Sequence, residues 1–134
     1  MERVAETPLV IMDVAHNPHS ANYFATQLSL LRTRENKARI HAVVAMLHDK
    51  DIASTLAEMT EIVDVWYPAS LEGPRAAKAE EIIEHLPHAT AGFSTPEQAF
   101  DTALTQAEED DVVIVFGSFY TVGQISSHIG STQE

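Results

Sequence analysis

The chain is 134 residues long, enough for one ordinary domain and too short for two independent cores. Apolar residues make up 45% and charged residues 21%, the balance of a folded domain with a real core and far from that of disordered chains. Eight lysines and arginines against twenty acidic residues give a formal charge of −12, which denies the broad basic face of a nucleic-acid binder, and the lack of cysteine excludes disulfides and thiolate metal sites.

Half of the cations (Arg32, Arg34, Lys37 and Arg39) fall in one stretch that reads as a solvated helix end and loop. A small anionic ligand is compatible with this balance, because helix N-termini and a few local cations can hold one. No apolar run approaches the roughly 20 residues that cross a bilayer. The opening MERVAETP lacks the pattern of a signal peptide, so the cytoplasm is the expected compartment.

In chain order, Glu2-Arg3-Val4 is expected to pair back on the following strand through the turn at Glu6-Thr7-Pro8, as one antiparallel edge. Residues 9–14 (LVIMDV) form an apolar run without helical rhythm, as expected of a strand buried on both faces. Asn17-Pro18 then pairs a good N-cap with a proline at the first helical position. Ala21, Phe24, Ala25, Leu28 and Leu31 fall on one face of the helix that follows. Residues 40–47 predict a second buried strand, and Asp49 or Asp51 caps a helix running through Ile52, Leu56 and Met59. Residues 62–67 predict a third strand, with a helix over 75–86 behind it. A weak strand is expected at 89–93, and Thr95-Pro96-Glu97 opens a helix carrying Ala99, Phe100, Ala103, Leu104 and Ala107. VVIVF at 112–116 is the strongest strand, and GSFYTVGQI turns from it into a last helix.

Strands alternating with helices predict right-handed βαβ units. The expected fold is α/β: a mostly parallel Rossmann-like sheet of about six strands, one of them an antiparallel edge, with helices on both faces. Such sheets bind ligands at the carboxyl ends of their strands, so the βα turns there are the candidate sites.

Two of these turns stand out. Asp13-Val14-Ala15-His16-Asn17-Pro18 sets a carboxylate at a strand end and an imidazole three residues on, at the mouth of a helix. That pattern suits a nucleotide, with the carboxylate accepting from a ribose hydroxyl and the imidazole and free N–H groups facing phosphates. It suits equally a turn in which Asp13 and Asn17 only cap the helix and His16 is solvated. Gly117-Ser118-Phe119-Tyr120 follows the strongest strand. There Gly117 permits close backbone approach and Ser118 offers a hydroxyl beside free amides, or else caps a helix.

The five glycines form neither G-x-G-x-x-G nor a P-loop. His16 and His19 stand three apart at a helix start without an evident third metal ligand. His41, His85, His88 and His128 read as surface or strand-edge residues, and Glu108-Glu109-Asp110-Asp111 as a solvated loop.

Four segments carry a resemblance: DVAHNPH at 13–19, AVVAMLHDKD at 42–51, WYPASLEGPR at 66–75 and GSFYTV at 117–122. In this order and spacing they resemble the C-terminal domain of the bacterial dihydrofolate synthase/folylpolyglutamate synthase family, whose wider relatives are the Mur ligases. The resemblance runs from Glu2 to about Ile129.

It implies a domain of the Mur ligase C-terminal type within a larger ATP-dependent amide ligase. That family adds L-glutamate to dihydropteroate and then to reduced folates, by way of an acyl phosphate. The P-loop and the Mg²⁺ ligands belong to the family's N-terminal ATPase domain, which the C-terminal domain closes upon as a partner. The implied cofactors are therefore ATP and Mg²⁺, with no metal ligand on this domain. By motif, Asp13, His16 and Asn17 correspond to ATP contacts, and Ser118 to a candidate for the glutamate or closed-state site. Residues 1–134 by themselves are expected to be one inactive domain of a monomeric enzyme. The family's ATP-binding arginine falls, counting back from Asp13, one residue before Met1, and Arg3 does not take its role. Ala76-Ala77 and Tyr120 depart mildly from the family pattern. A free-standing α/β nucleotide-binding or interaction module is the other reading of the residues.

Overall fold

Four strands are apolar along most of their length because both of their faces are covered. They are β2 (Leu9–Met12), β3 (Ile40–Val44), β4 (Val65–Pro68) and β5 (Val112–Phe116), and β2, β3 and β5 are buried at every residue. β1 (Glu2–Glu6) runs antiparallel to β2 at the edge, as expected. The computed structural model describes residues 1–88 and 90–132, and the backbone alone of 131 and 132. Its sheet has the order β1-β2-β5-β3-β4, with every pair parallel except β1–β2.

Alternate residues of each strand point to opposite faces, so two cores form. On one face, Leu9, Ile11, Ala42, Val44, Ile114 and Phe116 pack against Phe24, Leu28 and Leu31 of α1 (Pro18–Arg34). The same core takes in Leu56 of α2 (Ile52–Ala57) and Ile82 of α3 (Ala79–Ile83). On the other face, Val10, Met12, Val43, Val113 and Val115 meet Ala99, Phe100 and Ala103 of α4 (Pro96–Gln106) and Ile125 of α5 (Phe119–Thr132). The result is three layers, with helices on both sides of the sheet.

Several expectations need correction. Among the described residues the sheet has five strands rather than about six. Of the expected strand at 89–93, Ala89 lies outside the described residues, and Phe93 makes a single parallel bridge with Ala69. Pairing there stops after two backbone bonds, Phe93 N–H to Pro68 O and Ser70 N–H to Phe93 O, because Thr95 already caps α4. The third strand begins at Val65, not at residue 62, since Ile62 and Val63 still donate to Met59 O in a turn. Pro68 is accepted in β4 because β4 is the far edge of the sheet.

The helix expected over 75–86 is confined to Ala79–Ile83. Residues 75–77 are instead extended: Arg75 O accepts from His48 N, Ala77 N donates to Met46 O, and Ala76 bridges Leu47. That backbone pairing competes with helix and moves Arg75 to the carboxyl end of β3.

His41 and Asp111 are also not where the sequence suggests. Both are 1% exposed. His41 is the second residue of β3, with its ring nitrogens 2.9 Å from Tyr67 Oη and 2.9 Å from Asp111 Oδ2. Asp111 further accepts the backbone N–H groups of Arg39 and Glu108, and Tyr67 donates to Gln106 Oε1. Burial raises the Tyr67 hydroxyl above its ordinary pKa. Burial also pushes the Asp111 carboxyl up, but the Glu108 N–H, His41 and the Arg39 N–H outweigh it and hold the group below its ordinary value. An acid in an acidic loop is thus a buried acceptor that ties the loop to the sheet.

Candidate functional site

The strand order locates the site before any side chain is considered. The helix after β2 and the helix after β3 lie on one face of the sheet, whereas the helix after β5, which runs between them, lies on the other. Adjacent connections leaving in opposite directions open a crevice at the carboxyl ends of those strands. The turns after β2, β3 and β5 therefore converge, and they carry Asp13 to Asn17, Leu47 to Asp51, and Gly117 to Tyr120.

In the first turn, Asp13 continues β2 by one bond, from its N–H to Val115 O at 3.0 Å. Its Oδ1 accepts from Ala15 N at 2.9 Å, and its Oδ2 lies 2.9 Å from the Met1 ammonium. The capping of α1 is done by Asn17, whose Oδ1 accepts from Ser20 N at 2.8 Å and completes a capping box with Ser20 Oγ. Asp13 takes no part in that cap, so of the two capping roles open to this turn only Asn17's is filled. His16 Nδ1 lies 2.8 Å from Val14 O, and its ring stands 6.1 Å from that of Phe119 across the crevice. Because a carbonyl only accepts, Nδ1 carries the hydrogen of that bond and leaves Nε2 as the outer atom.

In the turn after β5, Gly117 has a φ of +124° and donates to Ala15 O at 2.9 Å. Ser118 occupies the cap position of α5, with Oγ accepting from Thr121 N at 3.0 Å and lying 2.8 Å from Thr121 Oγ1. Thr121 Oγ1 donates to Ala45 O at 2.8 Å, which fastens this turn to the end of β3. Ser118 is thus a helix cap, and it also lines the cavity described next. Phe119 and Tyr120 stand at the rim, 69% and 63% exposed.

His16 and Ser118 meet in a cavity of about 200 Å³, which Lys50 and Arg75 also line. A second hollow of about 360 Å³ shares Leu47, Arg75 and Tyr120 with it and continues toward Gly73 and Gln124. Arg75 is held by a two-point contact with Asp49, Nε to Oδ2 at 3.0 Å and the outer nitrogen to Oδ2 at 2.8 Å. Partial desolvation pushes the Asp49 carboxyl up, but the Arg75 bond and charge, with Lys50, prevail and keep it below its ordinary value. A chain of net charge −12 therefore gathers two cations at this one mouth. An imidazole, a hydroxyl oxygen and two cations around a crevice at helix N-termini suit an anionic ligand with a polar head.

The turns bring together two of the four residues read from the sequence, His16 and Ser118. Asp13 and Asn17 lie in the same turn as His16 without lining the cavity. Sequence reasoning missed Lys50 and Arg75. Lys50 carried no role in the sequence reading, and Arg75 fell in the helix expected over 75–86. A local signal for Arg75 was Gly73-Pro74, which marks a turn rather than a helix start, and Gly73 does take a φ of +108°. Among the described residues no group of three histidine or acidic side chains could hold a metal, and no helix is long and apolar enough to cross a membrane.

The chain is similar to several known proteins. The dihydrofolate synthase/folylpolyglutamate synthase of Escherichia coli K12 is 48% identical over 122 residues, covering 91% of this chain and 28% of that protein. The Haemophilus influenzae protein of the same name is 39% identical over 127 residues, covering 90% of this chain and 29% of that protein. The structure of E. coli FolC in complex with DHPP and ADP superposes with a TM-score of 0.93 at 45% identity, covering 99% of this chain and 31% of that one. The Yersinia pestis bifunctional folylpolyglutamate synthase/dihydrofolate synthase, complexed with AMPPNP and Mn ion, gives a TM-score of 0.90 at 47% identity, over 96% of this chain and 30% of that one. This chain thus spans less than a third of the length of these relatives. The family model described as the Mur ligase, glutamate ligase domain matches residues 1–119. With the doubly wound sheet and its convergent βα turns, that match establishes that the chain belongs to the Mur ligase glutamate ligase domain family.

Proposed function

We propose that this chain is the C-terminal domain of a cytoplasmic, monomeric ATP-dependent ligase that adds L-glutamate to dihydropteroate and to reduced folates. The observation that carries the reading is the cavity where His16, Lys50, Arg75 and Ser118 converge at the switch point of the sheet. Relatives named dihydrofolate synthase/folylpolyglutamate synthase, matching over nine-tenths of this chain, support the substrate class.

In this reading the residues have separate tasks. Asp13 accepts from the nucleotide's ribose through the remaining lone pair of the carboxylate oxygen that faces away from Ala15 and meets the Met1 ammonium. His16, at the rim of the cavity, meets the nucleotide's polar head. Asn17 belongs to the nucleotide site through the helix end that it caps, whose N–H groups favour an anion. Lys50 and Arg75 attract the carboxylates of glutamate, and Ser118 lies beside them. Exposed Phe119 and Tyr120 cover the crevice against water when the rest of the enzyme closes on it. ATP supplies the phosphoryl group that makes the acceptor carboxylate an acyl phosphate open to attack by the glutamate amine. The residues here fit an ATP contact from one side. They do not fit the Mg²⁺ ion, since no cluster of three histidine or acidic side chains that could hold a metal occurs among those described, and in this reading its ligands fall to the enzyme's ATPase domain.

The test is amide formation. The intact enzyme is expected to release phosphate when given ATP, L-glutamate and dihydropteroate, and residues 1–134 alone are expected not to. An intact protein that binds ATP without forming an amide would instead support a non-catalytic nucleotide-binding module. Amide formation by the isolated chain would refute the division of labour. Asn17 has its own check: Asn17→Ser keeps a capping oxygen, so KM for ATP should stay within about twofold, whereas Asn17→Ala removes about 1 kcal/mol of helix stability.

A further inference from the structure

Ser118 and Thr121 each carry one hydroxyl hydrogen, and the neighbouring groups fix where both go. Thr121, fully buried, lies with Oγ1 2.8 Å from Ala45 O. A carbonyl has no hydrogen, so Thr121 donates. Ser118 Oγ lies 2.8 Å from the same Thr121 Oγ1, whose hydrogen is already engaged, so Ser118 donates in that contact. Ser118 Oγ also accepts from Thr121 N at 3.0 Å, which occupies one of its two lone pairs. What remains is a single lone pair on a side chain that is 4% exposed and lines the cavity with Lys50 and Arg75.

We infer that Thr121 is a positioning residue that makes Ser118 an acceptor only, matched to the amino group of the incoming amino acid and not to a carboxylate. The inference rests on the reading of this cavity as the glutamate site. A carboxylate oxygen would meet Ser118 lone pair against lone pair, and the cavity already has Lys50 and Arg75 as donors for it. An amino group brings the hydrogens that Ser118 needs. The site is then divided by chemistry, with cations for the acid groups and a hydroxyl oxygen for the amine. An acceptor on the amine helps to orient its lone pair toward the carbon it attacks.

The experiment is calorimetric titration of the intact enzyme, in the presence of a non-hydrolysable ATP analogue. One ligand is L-glutamate, and the other is glutarate, which keeps both carboxylates and lacks the amine. Thr121→Val preserves shape and removes the hydroxyl. It is expected to weaken glutamate about tenfold and to leave glutarate within about twofold. Thr121→Ser is expected to restore glutamate binding. Ser118→Ala should reproduce the Thr121→Val pattern, and in that background Thr121→Val should add nothing, as expected of residues acting through one contact. The ratio of the two affinities does not depend on how much of a variant is folded, so partial unfolding cannot imitate the result. Equal weakening of glutamate and glutarate, no change in Thr121→Val, or no rescue by Thr121→Ser overturns the inference. A wild-type enzyme that binds neither ligand refutes the glutamate reading of the cavity instead.

Discussion

A β-carbon on Gly117 would run into the carbonyl oxygen of Ala45, closer than real β-carbons come to a neighbouring atom. The φ of +124° at Gly117 adds a conformation that other residues rarely adopt. The contact fixes how closely the turn after β5 packs on the end of β3, and so how near Ser118 comes to Lys50. Gly117→Ala is expected to lower unfolding stability by roughly 3 kcal/mol, the combined cost of strain and overpacking. Urea denaturation measures it, and a loss under about 1 kcal/mol would mean that the turn relaxes freely.

Asp13 offers a cleaner test than its position at a helix mouth suggested, because Asn17 alone caps α1. Asp13→Asn keeps an oxygen for the Ala15 N–H and loses the charge on the outer oxygen. If that oxygen accepts from ribose, a charge-assisted bond of about 1.5–3 kcal/mol disappears. Steady-state kinetics of the intact enzyme should then show kcat/KM for ATP falling roughly ten- to a hundredfold, with little change in Tm. Unaltered ATP kinetics would make the carboxylate structural.

Arg75 and Asp49 form a surface pair, 56% and 46% exposed, whose own contribution to stability is small. Arg75→Ala should therefore shift Tm by no more than about 2 °C. KM for glutamate should rise about tenfold or more, while KM for ATP stays near its original value. Arg75→Lys should rescue poorly, because an ammonium cannot reproduce the guanidinium's two-point grip on Asp49 together with a bond to substrate. A Tm that falls with unchanged glutamate KM would identify the pair as structural.

The buried Asp111 carboxyl predicts acid sensitivity with a definite sign. Its folded pKa is depressed, so the stability it contributes is present above the unfolded value of about 4 and is lost as pH falls through that value toward the lower folded one. Denaturation midpoints measured from pH 7 down to pH 3 should fall in wild type, with a shallower slope in Asp111→Asn across the acid end. Parallel slopes would show that other carboxylates dominate.

Much of the fold is determined by the sequence itself, for local reasons. Unbroken apolar runs such as VVIVF require burial on both faces, and Asn17-Pro18 and Thr95-Pro96 begin helices where their side chains cap them. The alternation of these elements then implies parallel pairing. His16 and Ser118 are legible for the same reason, since each stands in a βα turn at a strand's carboxyl end. Tertiary structure decided whatever depended on a distant partner. Residues 75–77 abandon helix because the end of β3 offers backbone bonds, and this carries Arg75 into the cavity. His41 and Asp111 are polar in sequence, yet they bury together because each supplies what the other lacks across seventy residues of chain. The hydrogen on Ser118 is likewise directed by a carbonyl seventy-odd residues away, Ala45 O, acting through Thr121. Periodicity and capping act within a few residues, so the sequence displays them. Hydrogen-bond partners brought together by the crossing of β5 between β2 and β3 exist only once the sheet has formed.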